Sequence, residues 1–212
     1  DQICLLTSTC EHFIPMNKEQ RIQEHFDSAT ATMQATRNAL SAAIVEAADA
    51  ISSALDNGNK LLICGNGGSA SDALHFSGEL LCRFERDRRA LPAIALPADT
   101  ATLTATANDY DFSQVFARQV EAFGQPGDLL VAITTSGNSE NIRQAVTAAK
   151  AANVGVIALT GRNGGQLAEE LDANHLELRV PATSTARIKE SHAIIIHCLC
   201  DLIELHVTEN SG

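Results

Sequence analysis

The sequence predicts an α/β domain built on an open, doubly wound, mainly parallel sheet of five strands, preceded by a helical arm. Five short runs of consecutive apolar residues alternate with longer stretches of helical periodicity. Continuous apolarity indicates strands covered on both faces, and helices between strands favour right-handed βαβ crossovers. The chain of 212 residues, 45% of them apolar, is long enough for one such domain. The predicted strands are Lys60–Cys64, Ala93–Leu96, Leu129–Ile133, Gly155–Leu159 and His175–Val180.

The helical arm is predicted at residues 16–58, where apolar residues recur at helical spacing from Glu19 to Leu55. This pattern fits one long helix or two consecutive helices. Because a helix in front of an α/β domain has few uses within one subunit, we expect the arm to pack against another copy of the chain. Residues 59–212 are predicted to form the α/β domain, one structural unit with the arm, which a helix from Thr185 to Val207 closes.

The first fifteen residues read differently from the rest of the chain. They lack the periodicity that follows, and Met16, Asn17 and Lys18 resemble a natural start of translation. We interpret residues 1–15 as a non-native or disordered extension and leave them out of the functional argument.

The composition argues against several classes of function. The formal net charge is -11 and the sequence pI is about 5.0, which disfavours binding to nucleic acid or to anionic membranes. The sequence shows neither an unbroken apolar run of roughly 18 residues nor a secretory signal pattern, so we expect a cytoplasmic protein. Six cysteines without metal-binding spacing are expected to be reduced: Cys4, Cys10, Cys64, Cys82, Cys198 and Cys200.

The loop after the first predicted strand is rich in glycine and enters a helix. In open α/β sheets, ligands bind beyond the carboxyl ends of the strands, and the start of a helix offers free N–H groups to an anion. Glycines also let the backbone approach a ligand closely. The alternative is a tight turn in which a Ser or Asp side chain merely caps the helix. The candidate ligand-binding residues are Asn66, Gly67, Gly68 and Ser69.

The same loop also matches the dinucleotide-binding pattern G-x-G-x-x-G/A through Gly65, Gly67 and Ala70. That pattern needs an acidic residue about 20 positions further on. The corresponding position lies within the arginine-rich stretch 83–89, and Asp99 comes too late. We therefore expect no nucleotide cofactor.

A second unusual loop follows the third predicted strand and precedes a predicted helix, Glu140–Ala152. Its four hydroxyl groups and one glycine at a helix start form a neutral anion site, able to bind a phosphate monoester without Lys or Arg. Capping of the helix would explain one or two of the hydroxyls but hardly all four. The candidate residues are Thr134, Thr135, Ser136 and Ser139.

Three polar side chains share one face of the helix after the first loop. His75, Glu79 and Arg83 are spaced i, i+4 and i+8. On an arbitrary surface helix this would be a solvated stripe. Because the helix follows a glycine-rich ligand loop, we interpret the stripe as one wall of a pocket that carries acid–base chemistry.

These motifs together resemble a known family. Gly65-Asn66-Gly67-Gly68-Ser69 and Thr135-Ser136-Gly137-Asn138-Ser139 are similar to the paired signatures of SIS (sugar isomerase) domains. The stretch His75-Phe76-Ser77-Gly78-Glu79-Leu80, the pair Asn108-Asp109, and the ending Ala186-Arg187-Ile188, His192 and His197-Cys198-Leu199-Cys200-Asp201-Leu202 resemble phosphoheptose isomerases in particular. The resemblance runs from about Arg21 to Leu205. It implies the flavodoxin-like SIS fold and a homotetramer.

The resemblance also implies an activity and a set of site residues. Phosphoheptose isomerases convert sedoheptulose 7-phosphate into D-glycero-D-manno-heptose 7-phosphate through an enediol, for the heptose of the lipopolysaccharide core. The resemblance makes Glu79 the general base and His197 its acid–base partner. The residues that it places around the sugar phosphate are Asn66, Gly67, Gly68, Ser69, Arg83, Asn108, Asp109, Thr134, Thr135, Ser136, Ser139 and Lys189. For Arg83, a structural pairing with Glu79 is an equal alternative.

One position departs from the family pattern. The family binds zinc through a His, a Glu, a Gln and a second His, which would be His75, Glu79, position 189 and His197. Position 189 is a lysine, and a protonated lysine cannot ligate a cation. Three interpretations remain open: the Lys189 ammonium replaces the charge of zinc and stabilises the enediolate, a three-ligand metal persists, or activity has been lost.

Two further functions are compatible with this fold. Similar SIS proteins act without catalysis as regulators that bind the replication initiator protein DnaA, and they share the ending Cys198-Leu199-Cys200-Asp201-Leu202-Ile203. That branch lacks the glutamate, whereas Glu79 is present here with His75 and His197, which favours the enzyme. A sugar-phosphate sensor is the third class, and it would bind the ligand without turnover.

Overall fold

The computed structural model describes residues 17–209. The interpretation of residues 1–15 as an extension, and the last three residues of the predicted domain, lie outside these residues. The predicted arm is one continuous helix, α1 (Lys18–Asp56), which begins at a capping box between Asn17 and Gln20. Its second half packs against its own domain, because Leu40 and Ile51 belong to the core. The first turns are exposed and present Ile22 and Phe26 to solvent.

The predicted sheet is confirmed, and all five strands are parallel. The strand order is β2-β1-β3-β4-β5, the flavodoxin-like order in which the direction of strand addition switches between β1 and β3. The strands are β1 (Leu61–Gly65), β2 (Ala93–Ala95), β3 (Leu129–Ile133), β4 (Gly155–Gly161) and β5 (Leu176–Val180). The remaining helices are α2 (Gly68–Leu81), α3 (Thr100–Asp109), α4 (Ala117–Phe123), α5 (Glu140–Ala151), α6 (Gly165–Glu170) and α7 (Thr185–Glu209).

Two apolar layers cover the sheet, as a doubly wound fold requires. Successive side chains of a strand point to opposite faces, and Leu62 and Ile63 accordingly enter different layers. The first layer packs α1, α2 and α7 against one face, and the second packs α4 and α5 against the other. This arrangement brings α2 and α7, which carry the predicted catalytic residues, together on the same face.

Helix α7 is long and apolar enough, by length and composition, to cross a membrane. Half of its apolar stretch is buried, and Ile195 and Leu199 pack in the first core layer. Helix α7 is therefore a core helix of this fold. The His192 ring contacts the Thr160 carbonyl oxygen through Nε2 (2.9 Å). Burial lowers the pKa of His192 to about 4, so this residue is neutral at pH 7 and serves the packing of α7.

A buried carboxylate stabilises the amino-terminal ends of β1 and β3. The predicted site lies at the opposite, carboxyl ends of these strands. Asp128 is 1% exposed and accepts hydrogen bonds from the backbone N–H groups of Lys60 (3.0 Å) and Gln125 (2.9 Å) and from the Lys60 ammonium (2.6 Å). Burial alone would raise the pKa of Asp128, but these hydrogen bonds lower it below its ordinary value. A lowered pKa means that the stabilisation is present above the ordinary carboxyl range and is lost as the pH falls through it.

We therefore expect Asp128→Asn to lower the free energy of unfolding at pH 7 by about 1–3 kcal/mol, because buried hydrogen bonds to a charged acceptor are weakened. The difference from the wild type should shrink below about pH 4, where an ordinary aspartate is protonated. Urea unfolding at pH 7 and pH 3.5 measures both effects. Asp172→Asn is the control, since Asp172 is half exposed beside Lys150. An unchanged stability of the Asp128 variant at pH 7 would contradict the prediction.

Candidate active site

The two predicted ligand loops lie side by side. They follow β1 and β3, which are neighbours in the sheet, so both open at its carboxyl edge. A reciprocal pair of amide hydrogen bonds joins them: Asn66 Nδ2 donates to Asn141 Oδ1, and Asn141 Nδ2 donates to Asn66 Oδ1, both at 2.8 Å. The starts of α2 and α5 are thereby held next to each other.

The first loop leaves the start of α2 open. Its N-cap residue is Gly67, with φ +55°, and no side chain caps the helix. The interpretation of this loop as a turn capped by Ser or Asp is therefore wrong. A Cβ atom at Gly65 would come within 2.4 Å of the Ser69 carbonyl oxygen, so the loop requires a glycine there. The N–H groups of Ser69 and Ala70 donate to the carbonyl oxygens of Asn66 (2.9 Å) and Gly67 (3.0 Å), but an anion can approach the start of α2 without displacing a capping side chain.

The second loop is supported by the loop after β4. Gly137 has φ +67°, and a Cβ atom there would lie 1.7 Å from the Gly164 carbonyl oxygen. The Thr134 hydroxyl accepts from the Gly137 N–H (3.2 Å), and the Ser136 hydroxyl accepts from the Asn138 N–H (3.2 Å). Ser139 is the N-cap residue of α5, but its hydroxyl makes no capping hydrogen bond. Two of the four predicted hydroxyls thus order the loop, while Ser139 leaves the helix start open.

The predicted catalytic residues meet between α2 and α7. The Nε2 atoms of His75 and His197 are 3.0 Å apart, and His75 Nδ1 lies 3.6 Å from Glu79 Oε1. His75 therefore bridges the other two residues. Burial, and next the negative charge of Glu79, raises the pKa of the Cys200 thiol on α7 to about 12. Side-chain exposures of 45% for His75 and 23% for Glu79 leave this pair open to a ligand.

Lys189 lies at the start of α2. Its ammonium forms an ion pair with Asp72 and donates to the Ser69 hydroxyl (3.3 Å). A Cβ atom at Gly68 would lie 3.1 Å from Lys189 Cε, so the glycine leaves room for this side chain. The positive charge consequently lies on the first loop, one helical turn before His75.

Three predicted binding residues lie apart from these contacts. Arg83 donates to the Glu85 carbonyl oxygen (3.2 Å), and its guanidinium forms no ion pair with Glu79 among the described contacts. Asn108 donates to the Asp109 carboxylate (2.7 Å) at the exposed end of α3. The roles assigned to these three residues rest on the resemblance alone.

Comparison with known proteins shows the family to which this chain belongs. The SIS domain family model matches residues 24–161, which include both loops and all of α2. A phosphoheptose isomerase of Coxiella burnetii is 50% identical over 196 residues, which cover 92% of this chain and 98% of that protein. The chain belongs to the phosphoheptose isomerase family of SIS-domain proteins. It is therefore an enzyme of the isomerase class.

Solved structures of this family share the whole fold. A phosphoheptose isomerase structure from Francisella tularensis has a TM-score of 0.88 at 49% identity and covers 90% of this chain and 100% of that chain. The structure of a phosphoheptose isomerase from Neisseria gonorrhoeae has a TM-score of 0.85 at 44% identity, with 89% and 100% covered. Both solved chains are matched over their full length, and the matches cover about nine tenths of this chain. The similarity therefore includes α1 and α7.

The metal site of the phosphoheptose isomerase family does not fit this chain. Of the four implied ligands, Lys189 has no lone pair when protonated, and its ammonium is already paired with Asp72. Glu79 lies beside Nδ1 of His75, whereas His197 lies beside Nε2. Within residues 17–209, no group of three or more His, Cys, Asp or Glu side chains is arranged to hold a metal ion. Lys189 therefore cannot serve as the fourth ligand of the zinc site that the resemblance implies.

Some residues of the site could not be found from the sequence. Asn141 follows the second loop without any motif, yet it joins the two loops. Asp72 was part of the first loop but had no assigned role, and it holds the Lys189 ammonium. Phe84 stacks on the His197 ring, with 5.8 Å between the ring centroids. Each contact joins residues more than 70 positions apart, so no local pattern could reveal it.

Proposed function

We propose that this protein interconverts sedoheptulose 7-phosphate and D-glycero-D-manno-heptose 7-phosphate. The observation that carries the proposal is the placement of the His75, Glu79 and His197 cluster directly beyond two joined, uncapped helix starts. The helix starts bind the phosphate group through N–H and hydroxyl groups. The acid–base cluster then faces the opposite end of the sugar.

The dimensions of α2 agree with a long sugar phosphate. Ser69, at the phosphate end, and His75 are six residues apart, which corresponds to about 9 Å along a helix axis. An extended seven-carbon chain ending in a phosphate ester spans about 10 Å, given C–C bonds of about 1.5 Å. The reacting carbons C1 and C2 therefore reach the His75 region when the phosphate occupies the two loops.

The proton shuttle uses two groups. Glu79 removes a proton from C1 of the ketose while His197 donates one to the carbonyl oxygen on C2, which gives the enediol. Glu79 then returns its proton to C2, and His197 removes the proton from the oxygen on C1, which becomes the aldehyde. His75 contacts both residues and orients them.

Lys189 supplies the positive charge for this chemistry. Its ammonium lies at the start of α2, next to Ser69 and Asp72. A fixed cation at this place stabilises the phosphate directly and, through its longer-range field, the negative charge that develops on the enediolate oxygens one helical turn further along α2. Of the three interpretations of Lys189, we propose this one.

The biological setting follows from the same proposal. We infer that the enzyme acts in the cytoplasm as a homotetramer and supplies heptose for the lipopolysaccharide core. The exposed Ile22 and Phe26 on α1 are suited to contact another copy of the chain. The alternative function, binding of DnaA, is not supported by the relatives described above, which are named phosphoheptose isomerases.

The test is conversion of sedoheptulose 7-phosphate by the purified full chain, followed by proton NMR in D2O. We expect signals of the aldose 7-phosphate to appear and one solvent deuterium to enter at the C1 or C2 position. Fructose 6-phosphate serves as the shorter control substrate and should turn over more slowly. Binding of the heptulose phosphate without turnover would contradict the proposal and favour the sensor.

A further inference from the structure

The segment between α2 and β2 is held by a buried arginine. The Arg88 side chain is 3% exposed, and its guanidinium donates to the carbonyl oxygens of Glu79 (2.6 Å), Leu80 (2.8 Å) and Cys82 (3.3 Å). The last carbonyl groups of a helix lack partners within the helix, and a cation at this end is favourable. Arg88 therefore caps the C-terminal end of the helix that carries His75 and Glu79.

A buried glutamate on α7 holds the same segment from the other side. The Glu204 carboxylate is 2% exposed and accepts from the backbone N–H groups of Phe84 (3.0 Å), Glu85 (2.9 Å) and Arg86 (2.7 Å). Arg88 Nε lies 3.5 Å from Glu204 Oε1 without a hydrogen bond, so the two groups interact through their charges. Each of these buried charges is thus compensated.

The two buried residues reach both members of the proposed catalytic pair. The Arg88 guanidinium donates to the backbone carbonyl oxygen of Glu79. Glu204 fixes the backbone of Phe84, whose ring stacks on the His197 imidazole at an interplanar angle of 29°. His197 and Glu204 are seven residues apart on α7, two helical turns, and so lie on the same face of the helix.

We propose that Glu204 and Arg88 are positioning residues for the isomerisation. They hold the end of α2 and the ring of Phe84 so that Glu79 and His197 keep a fixed separation and orientation. Neither residue touches the substrate. This inference rests on the proposed function, because it assigns catalysis to Glu79 and His197, but the contacts themselves can be tested without turnover.

Burial would raise the pKa of Glu204, but the three N–H donors and Arg88 lower it below its ordinary value, so this residue is ionised at pH 7.

Glu204→Gln removes the charge and keeps one oxygen acceptor. The matched control is Asp128→Asn, which also changes a buried carboxylate that accepts backbone N–H groups but lies at the opposite edge of the sheet. Phe84→Leu removes the stacked ring directly.

Two measurements on the full chain test the proposal. In the heptulose phosphate assay, Glu204→Gln and Phe84→Leu should lower kcat by about tenfold to a hundredfold, the effect of misplacing a catalytic group by about 1 Å, with KM nearly unchanged. In NMR spectra of 13C-His-labelled protein in EDTA, both variants should shift the His197 ring signals in the same direction, because the ring current of Phe84 is lost. Asp128→Asn should leave kcat and the His197 signals as in the wild type.

The outcomes are distinguishable. A wild-type kcat and an unmoved His197 signal in Glu204→Gln would overturn the positioning role, as would an equal effect of Asp128→Asn. If Glu204→Gln fails to fold, Phe84→Leu decides: no change in kcat with folded protein refutes the proposal. If the wild type shows no turnover, the proposed function fails, and the His197 signals alone report whether Glu204 places Phe84.

Discussion

Glu79→Gln is expected to lower kcat for sedoheptulose 7-phosphate by about 10² to 10⁴, the usual contribution of a general base. Glutamine has nearly the size of glutamate and can still face His75, but it cannot accept a proton from carbon. The variant should therefore fold normally and bind the sugar phosphate, since the phosphate loops are unchanged. Loss of solvent deuterium incorporation into the substrate would show that removal of the proton from carbon is the affected step.

The control for this variant is Glu121→Gln, on the exposed side of α4. It makes the same chemical change away from the site and should retain the wild-type kcat. Turnover of Glu79→Gln within tenfold of the wild type would assign the base to another residue, and His75 would then be the first candidate because it contacts both partners.

Lys189→Gln has the second large expected effect. The substitution removes the ammonium from the pair with Asp72 and restores a neutral oxygen ligand where the family has glutamine. We expect zinc affinity to rise at least about tenfold, in the range by which changes around a metal site alter binding. Activity of the wild type should be insensitive to chelator, whereas activity of the variant should depend on added zinc.

Metal content after dialysis against zinc, measured by mass spectrometry, tests this without any assay of activity. The matched control is Lys150→Gln, because Lys150 also forms an ion pair with an aspartate, Asp172 (3.1 Å), but at the opposite edge of the sheet. Stoichiometric zinc in the wild type, or chelator-sensitive wild-type turnover, would show that Lys189 moves aside and that a metal with three protein ligands persists.

The strands were predictable because each is a short run of apolar residues. β3 was predicted with the observed bounds, and the others differ at their ends by one or two residues. β4 continues to Gly161 because Thr160 and Gly161 still pair with Arg179 and Val180 of β5. The bounds of helix α3 were not predicted, because its sequence is rich in threonine and has no apolar stripe, with only Thr106 buried.

The two strand-to-helix loops were predictable because glycines and hydroxyls cluster at the ends of strands. These local patterns located both loops, and helical spacing placed His75 and Glu79 on one face of α2. The alternative to a ligand loop, a turn capped by Ser or Asp, is wrong because glycine occupies the N-cap position. A pattern of residue types indicates a helix start but not which residue caps it.

The sequence by itself determined the alternation of strands and helices, the two glycine- and hydroxyl-rich loops and the lysine at position 189, since each depends on residues close together in the chain. Only the tertiary structure decided which side chains meet: Asn66 with Asn141, His75 with His197, and Glu204 with the backbone of Phe84. The physical reason is that apolar periodicity specifies which face of a helix is buried, whereas the contacts between polar side chains depend on how α2 packs against α7 and how β1 lies beside β3.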